Sequence, residues 1–164
     1  MTDRIWTPWR MKYIQEHHDY PGCVFCLAAA EPDGEENLIF HRGEHVFMIL
    51  NRFPYTSGHV MCVPYAHVDR LHALSQDARA EMMEMTNKAV DVLQIVYKPE
   101  GFNVGLNLGE MAGAGVADHL HMHIVPRWGG DTNFMSTVGE TRVLPESLTE
   151  TYARVKTAWD EFPS

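Results

Sequence analysis

Three histidines recur at every second position in one short segment, and an apolar residue follows each of them. The segment reads His119-Leu120-His121-Met122-His123-Ile124-Val125. Successive side chains of a β-strand point to opposite faces, so a strand would place the three imidazoles on one face. A helix would scatter the same imidazoles around its axis. The spacing therefore predicts a strand whose apolar face lies on a core and whose histidine face lines a cleft.

Imidazole is the side chain whose unperturbed pKa lies nearest neutral pH. A row of imidazoles favours proton transfer, nucleophilic attack or metal binding. The alternative is a polar strand face that carries no chemistry, because short motifs can match by chance.

The bulk properties narrow the class of protein. A chain of 164 residues with 45% hydrophobic and 21% charged residues is typical of one globular domain. Its apolar runs fall short of the ~20 residues of a membrane span, and its first residues lack the apolar core of a signal peptide. We therefore expect a cytoplasmic protein with no membrane partner. The net charge of −9 argues against duplex nucleic acid as a partner but allows a small nucleotide.

Hydrophobic periodicity predicts five strands and two main helices. The strands are expected at residues 38–40, 46–50, 59–64, 102–108 and 119–126. A helix of about six turns should begin at the N-cap Ser75 and end at the turn 98–101. A last helix should begin at the capping box of Ser147 and Glu150. This order predicts an α+β domain with an antiparallel five-stranded sheet, a long helix and a C-terminal helix.

Two cysteines form a C-x-x-C pair, Cys23 and Cys26, whereas Cys62 stands alone. In a reducing compartment such a pair indicates zinc or redox chemistry. Zinc would need two further ligands, and the thioredoxin-like context of a redox motif is missing. A pair of buried cysteines is the remaining alternative. Cys62 is expected to be a small hydrophobic residue of the core.

The histidine segment resembles the signature of the histidine triad (HIT) family at every position. Further matches extend over about residues 4–135. The stretch from Asn51 to Pro64 looks like the family's nucleotide-binding hairpin, and residues 102–107 look like its penultimate core strand. Residues 6–11 and 126–134 are similar to the bacterial branch that includes diadenosine tetraphosphate phosphorylases.

This resemblance implies a subunit that dimerises through its long helix and a strand. It also implies an enzyme that hydrolyses or transfers at the α-phosphate of a nucleotide. We expect one HIT domain, with an N-terminal arm at residues 1–37, a core at 38–126 and a C-terminal extension at 127–164.

By position in the family motif, His121 is the nucleophile that forms a nucleotidyl-histidine intermediate. His123 should contact the phosphate or the leaving group, and His59 should tune the site from the adjacent strand. A core histidine without a catalytic role is the alternative for His59.

The resemblance also assigns nucleotide contacts. Asn107 should contact the scissile phosphate, and Asn51 should bind the ribose hydroxyls, although either asparagine could instead serve a turn or a strand edge. The glycine-rich loop 109–117 should bring backbone amides near Gly115 to the phosphate. The phosphorylase branch tends to have serine at the position of Gly115.

Analogy with the related galactose-1-phosphate uridylyltransferases completes the metal site. It implies a structural Zn²⁺ held by Cys23, Cys26, His67 and His119. His41 and His45 compete as ligands, but we expect them to be solvated loop residues.

Three classes of function remain open at this point. The chain could be a nucleotidyl hydrolase or transferase, with hydrolysis of dinucleoside polyphosphates, phosphorolysis and hydrolysis of phosphoramidates as alternatives. It could also be a non-catalytic nucleotide-binding regulator, or a protein whose histidine strand is wholly a metal site. His121, flanked by two further histidines, favours the enzyme.

Overall fold

A computed structural model describes residues 22–131 and 146–163. Its five strands form one antiparallel sheet in the order β1-β2-β3-β5-β4. The strands are β1 (Ile39–Arg42), β2 (Val46–Leu50), β3 (Val60–Pro64), β4 (Gly101–Leu106) and β5 (Met122–Arg127), and the α-helices are α1 (Val24–Ala30), α2 (Gln76–Tyr97) and α3 (Leu148–Glu161). Short 3-10 turns occur at Leu71–Ala73 and Glu110–Ala112. The predicted α+β class, with its antiparallel five-stranded sheet, long helix and C-terminal helix, is confirmed.

The centre of the core is the pair of strands β2 and β3. Every residue of both strands is buried, as expected for short apolar runs that are covered on both faces. Met48 of β2 lies opposite Cys62 of β3. Cys62 is fully buried, so the expectation that it serves as a small core residue is confirmed.

Helix α2 packs along the sheet and begins and ends where the sequence predicts. The Ser75 hydroxyl accepts a hydrogen bond from the backbone N–H of Ala78 at 3.1 Å, which satisfies one orphan donor of the first turn. The helix ends at Lys98, which adopts the left-handed conformation with φ 47°. Its buried face consists of Ala78, Met82, Thr86, Ala89, Val92 and Leu93.

Helix α3 closes the other end of the domain against β1. The predicted capping box is present, because Ser147 and Glu150 each accept from the other's backbone N–H. Trp159 packs edge-on against Phe40 at 5.3 Å between ring centroids. The Tyr152 hydroxyl donates to the backbone carbonyl of Ile39 at 3.1 Å, so α3 is fastened to the edge strand by both apolar and polar contacts.

The turn before β3 requires a glycine. Gly58 has φ +75°, and a Cβ at this position would lie 2.7 Å from Cε2 of Tyr97. The absence of a side chain lets the chain pass close to α2 and enter β3 directly after His59.

The histidine segment differs from the prediction at both ends. Strand β5 begins only at Met122, so His119 and His121 precede the strand instead of lying within it. The strand also continues through Pro126 to Arg127, one residue past the expected end. The ladder between β3 and β5 stops at Ile124. Pro126, which has no backbone N–H, therefore lies beyond the last pair of that ladder and breaks no hydrogen bond to β3.

Two further expectations were wrong. The sequence analysis placed no helix at the C-x-x-C pair, yet α1 begins directly after Cys23 and contains Cys26. Its alanine-rich end favours a helix, but seven residues without a side-chain N-cap gave no clear start signal. His41, expected in a solvated loop, lies in β1 and packs on Trp159 at 5.0 Å between ring centroids.

Some predictions concern residues that the structure does not describe. The aromatic arm at residues 6–11 and the end of the motif at residues 132–134 lie outside the described residues. None of the described helices has the length and apolar character that crossing a membrane requires.

Candidate active site and metal centre

His59 and His123 form a hydrogen-bonded pair across the β3–β5 boundary. His59 Nε2 lies 2.9 Å from His123 Nδ1. The backbone N–H of Tyr55 donates to His59 Nδ1 at 3.1 Å, so in the neutral ring the proton of His59 resides on Nε2. His59 therefore donates to His123, and the proton of neutral His123 lies on its Nε2. The backbone N–H of Tyr55 thus fixes the tautomer of His59, and His59 in turn fixes the tautomer of His123.

His121 is oriented by the backbone that precedes it. Its Nδ1 lies 2.7 Å from the carbonyl oxygen of His119. Since a carbonyl only accepts, Nδ1 carries the proton and Nε2 carries the lone pair of the neutral ring. Burial lowers the pKa of His121, although the bond to the His119 carbonyl opposes this shift. The ring is therefore neutral at pH 7, which is the form that can act as a nucleophile.

The rings of His121 and His123 lie side by side. Their centroids are 4.9 Å apart and their planes are nearly perpendicular at 73°. Burial, followed by the charge of His121, lowers the pKa of His123 to about 4. Two neutral imidazoles thus meet at one place, one with a lone pair on Nε2 and the other with a proton on Nε2. Such a pair can attack a phosphorus centre and assist departure of its leaving group.

The structure brings Asn51 to the same group of side chains. Its Nδ2 lies 3.3 Å from His59 Nδ1. Its Oδ1 accepts from the backbone N–H of Phe53 at 2.9 Å, which is an Asx turn. The alternative role that the sequence left open for Asn51, service to a turn, is therefore present in the loop.

Asn107 and Gly115 lie in the segment that links β4 to the histidines. Leu106 lies opposite Met122 in the β4–β5 register. The ladder ends at this pair, so Asn107 directly follows β4 and His121 directly precedes β5, and the contact of Asn107 with a phosphate stays a prediction. Gly115 is exposed in the loop that follows the second 3-10 turn, and its contact with a phosphate stays a prediction.

The four predicted metal ligands converge on one point. Cys23 Sγ, Cys26 Sγ and one ring nitrogen each from His67 and His119 lie within 4.8 Å of one another. His119 Nδ1 is 3.2 Å from Cys23 Sγ and 3.6 Å from Cys26 Sγ, and His67 Nδ1 is 3.4 Å from Cys26 Sγ. Tetrahedral zinc would separate a sulfur ligand from a nitrogen ligand by about 3.5 Å. These residues therefore fit a closed tetrahedral site.

The tautomer of His119 also suits a metal. Its Nε2 lies 2.8 Å from the carbonyl oxygen of Pro64, so Nε2 carries the proton and Nδ1 presents its lone pair to the two thiols. A ligating histidine that donates its second N–H to a carbonyl is the usual arrangement around a metal ion. Of the competing candidates, His41 packs on Trp159 instead, and the cluster of possible ligands within the described residues does not include His45.

The two thiols differ in their protonation. Burial opposes ionisation of Cys23, but the neighbouring His119 and hydrogen bonds from the backbone N–H groups of Cys26 and Phe25 lower its pKa to about 6. Burial and the neighbouring Cys23 raise the pKa of Cys26. Cys23 is therefore the more acidic of the two thiols, and thiolate is the form that binds a metal.

The sequence analysis missed two aromatic residues that contact the histidines. Tyr55 lies in the loop before β3, with its ring 4.6 Å from that of His59 and stacked at 6.1 Å on that of His123. Phe25 of α1 contacts the rings of both His119 and His121. The available signals were the position of Tyr55 within the hairpin motif and that of Phe25 between the two cysteines.

Sequence comparisons agree with this geometry. Residues 34–130 match the HIT domain family model. The chain is 42% identical over 167 aligned residues to the AP-4-A phosphorylase of Mycobacterium tuberculosis, an alignment that covers 98% of this chain and 86% of that protein.

Solved structures show the same fold. A zinc-bound histidine triad family protein from Mycobacterium smegmatis superposes with a TM-score of 0.67 at 24% identity, covering 85% of this chain and 94% of that one. A HIT family protein from Bacillus anthracis superposes with a TM-score of 0.59 at 28% identity, covering 67% of this chain and 76% of that one. Together with the family match and the histidine geometry, these similarities show that the chain belongs to the HIT domain family.

Proposed function

We propose that this protein is a nucleotidyl hydrolase or transferase that cleaves at the α-phosphate of dinucleoside polyphosphates or related nucleotides. The observation that carries the proposal is the orientation of His121, whose Nδ1 is committed to the His119 carbonyl and whose Nε2 therefore bears the lone pair. In the first step, Nε2 attacks the α-phosphorus and a P–N bond forms. The P–O bond to the leaving group breaks, and the nucleotidyl group remains on His121. Attack by water or phosphate then releases it.

His123 and His59 assist this exchange as a hydrogen-bonded pair. The N–H at Nε2 of His123 points away from His59 and donates to the phosphate or to the departing oxygen. Because Tyr55 N–H fixes the tautomer of His59, the pair presents a donor to the substrate without any rearrangement. This preorganisation is the reason why both histidines contribute to the rate.

The remaining predicted contacts complete the nucleotide site. We place Asn107 at the scissile phosphate, because it directly follows β4 at the end where Leu106 pairs with Met122, the residue after His121. Backbone amides near Gly115 would share the phosphate charge. Asn51 would bind the ribose hydroxyls from the rim of the site, although this requires that part of its Asx turn open.

Identity to the AP-4-A phosphorylase of M. tuberculosis supports a dinucleoside polyphosphate as substrate. Whether water or phosphate accepts the nucleotidyl group depends on the loop before the histidines. Gly115 offers only backbone amides at the place where the phosphorylase branch tends to have a serine hydroxyl. We therefore propose hydrolysis as the main reaction and phosphorolysis as the alternative.

Incubation with diadenosine tetraphosphate, with and without inorganic phosphate, separates these reactions. We expect AMP and ATP in phosphate-free buffer. Gly115→Ser should then shift the products towards ADP when phosphate is added, with the unaltered chain as the matched control. ADP that forms only in the presence of phosphate would identify the unaltered chain as a phosphorylase instead.

His121→Ala should abolish turnover because it removes the atom that receives the nucleotidyl group. A loss of about 10³-fold or more in kcat is typical of nucleophile deletions, while AMP should still bind, as measured by calorimetry. His72→Ala removes an exposed histidine of the 3-10 turn and serves as control. Wild-type kcat in His121→Ala would reject the assigned nucleophile, and binding of AMP without turnover in the unaltered chain would favour a regulator.

We further propose that Cys23, Cys26, His67 and His119 hold a structural Zn²⁺. The convergence of two sulfurs and two nitrogens supports this assignment. A closed four-ligand site leaves no position for a reacting water, so the ion would fasten α1 to the histidine segment and take no part in the chemistry.

Cys23→Ser should lower the zinc content from about one ion per chain. It should also lower Tm by about 5 °C, which corresponds to about 2 kcal/mol for a chain of this size. Atomic absorption and calorimetry measure the two effects. Cys62→Ala, which removes the buried thiol of β3, should leave the zinc content unchanged. If removal of the metal from the unaltered protein left its Tm unchanged, the zinc site would be refuted.

A homodimer is the proposed assembly. Met83 and Ile95 of α2 are exposed by 55% and 61%, and Val104 of the edge strand β4 is exposed by 45%. Exposed apolar residues, together with a strand edge that is unpaired within residues 22–131 and 146–163, favour pairing with a second copy.

Ile95→Glu should therefore shift the sedimentation coefficient at micromolar concentration from that of a dimer towards that of a monomer, because it places a charge in the apolar contact. Thr157→Glu adds the same charge on the exposed face of α3 and should leave the dimer intact. A monomer in the unaltered chain would contradict the proposal.

A further inference from the structure

Phe25 is the residue that joins the metal cluster to the nucleophile. It lies between Cys23 and Cys26 in the sequence, and its side chain is 6% exposed. The centroid of its ring lies 5.4 Å from that of His119, in an edge-on arrangement. The same ring lies 5.0 Å from that of His121, tilted by 48°. One aromatic ring therefore contacts both a ligand of the cluster and the histidine that would attack the substrate.

His121 needs a second contact to fix its ring. The bond from Nδ1 to the His119 carbonyl fixes one atom, but it still lets the ring tilt within the range of one hydrogen bond, because the terminal torsion of histidine has a broad energy profile. The rings of Phe25, 5.0 Å away, and His123, 4.9 Å away, restrict that tilt. The direction of the Nε2 lone pair therefore depends on where Phe25 sits.

The position of Phe25 depends in turn on its two neighbouring cysteines. Helix α1 has only seven residues and no side-chain hydrogen bond at its N-cap, and a helix this short is not stable alone in water. Cys23 and Cys26 hold its first turn against His119. Since Phe25 lies within that turn, the contacts of the two cysteines with His119 also hold its ring next to His121.

We propose that Phe25 is a positioning residue for His121, through which the C-x-x-C cluster sets the direction of attack. The proposal rests on the proposed role of His121 as nucleophile. A contact of this kind acts on the chemical step, so its effect is measured on that step separately from nucleotide binding. Small misplacements of a reacting group can lower the rate by about 10²-fold.

Single-turnover kinetics test the catalytic part. Rapid mixing with radiolabelled diadenosine tetraphosphate and an alkaline detergent quench, in which the P–N bond survives, measures nucleotidyl-enzyme formation. We expect Phe25→Leu to slow this step by about tenfold and Phe25→Ala by up to about a hundredfold, with little change in the dissociation constant of AMP. Phe25→Tyr, which keeps the aromatic ring, should restore most of the rate. Leu27→Ala alters an exposed residue of the same helix and should match the unaltered chain.

Nuclear magnetic resonance tests the positioning part without any reaction. The His121 Nδ1–H, bonded to a carbonyl, should give a protected imidazole signal, identified by its loss in His121→Ala. We expect Phe25→Leu to weaken or broaden this signal and Leu27→Ala to leave it unchanged. If the unaltered chain forms no nucleotidyl-enzyme, the role of His121 fails, while this signal still reports whether Phe25 holds the ring.

Phe25→Leu decides the matter if Phe25→Ala does not fold. A folded Phe25→Leu protein with the wild-type rate and an unchanged His121 signal would overturn the proposal. Zinc is measured in every variant. A His121 signal that changes only in zinc-depleted samples would also overturn it, because the ion would then act on His121 without Phe25.

Discussion

His119 is the residue on which both halves of the site depend. Its Nε2–H donates to the Pro64 carbonyl at the end of β3, and its Nδ1 faces Cys23 and Cys26. Its own carbonyl accepts from His121 Nδ1. Three interactions of one buried residue therefore fix α1 to the sheet, set the tautomer of the metal-facing nitrogen and set the tautomer of the nucleophile. Rotation of this residue would disturb all three together.

Backbone groups determine where the protons of the site reside. A backbone N–H fixes His59, which then fixes His123, and a backbone carbonyl fixes His121. The N–H belongs to Tyr55 in the loop before β3, and the carbonyl belongs to His119 just before β5, so main-chain atoms set the tautomers of His59 and His121. Burial supplies the second condition, since it lowers the pKa of both His121 and His123 and keeps the rings neutral.

Local signals in the sequence predicted most of the fold. Apolar runs gave β2 and β3, and the Ser75 cap and the capping box at Ser147 gave the starts of α2 and α3. The features that the sequence did not predict depend on contacts between residues far apart in the chain. Helix α1 is too short to have a strong local signal, and its first turn is held by a histidine 96 residues away from Cys23. His41 resembles a loop residue until Trp159 of α3 packs against it.

Local pattern alone also could not predict how the histidine segment is arranged. Alternation in a strand predicts that His119, His121 and His123 share one face, and a common face suits a single task. The strand instead begins at Met122, so His119 and His121 are free of the ladder that would align them. His119 then meets His67, with 5.0 Å between ring centroids, while His121 meets His123. The regular strand begins only after His121. Histidines spaced two residues apart can therefore serve both a metal cluster and a reactive pair.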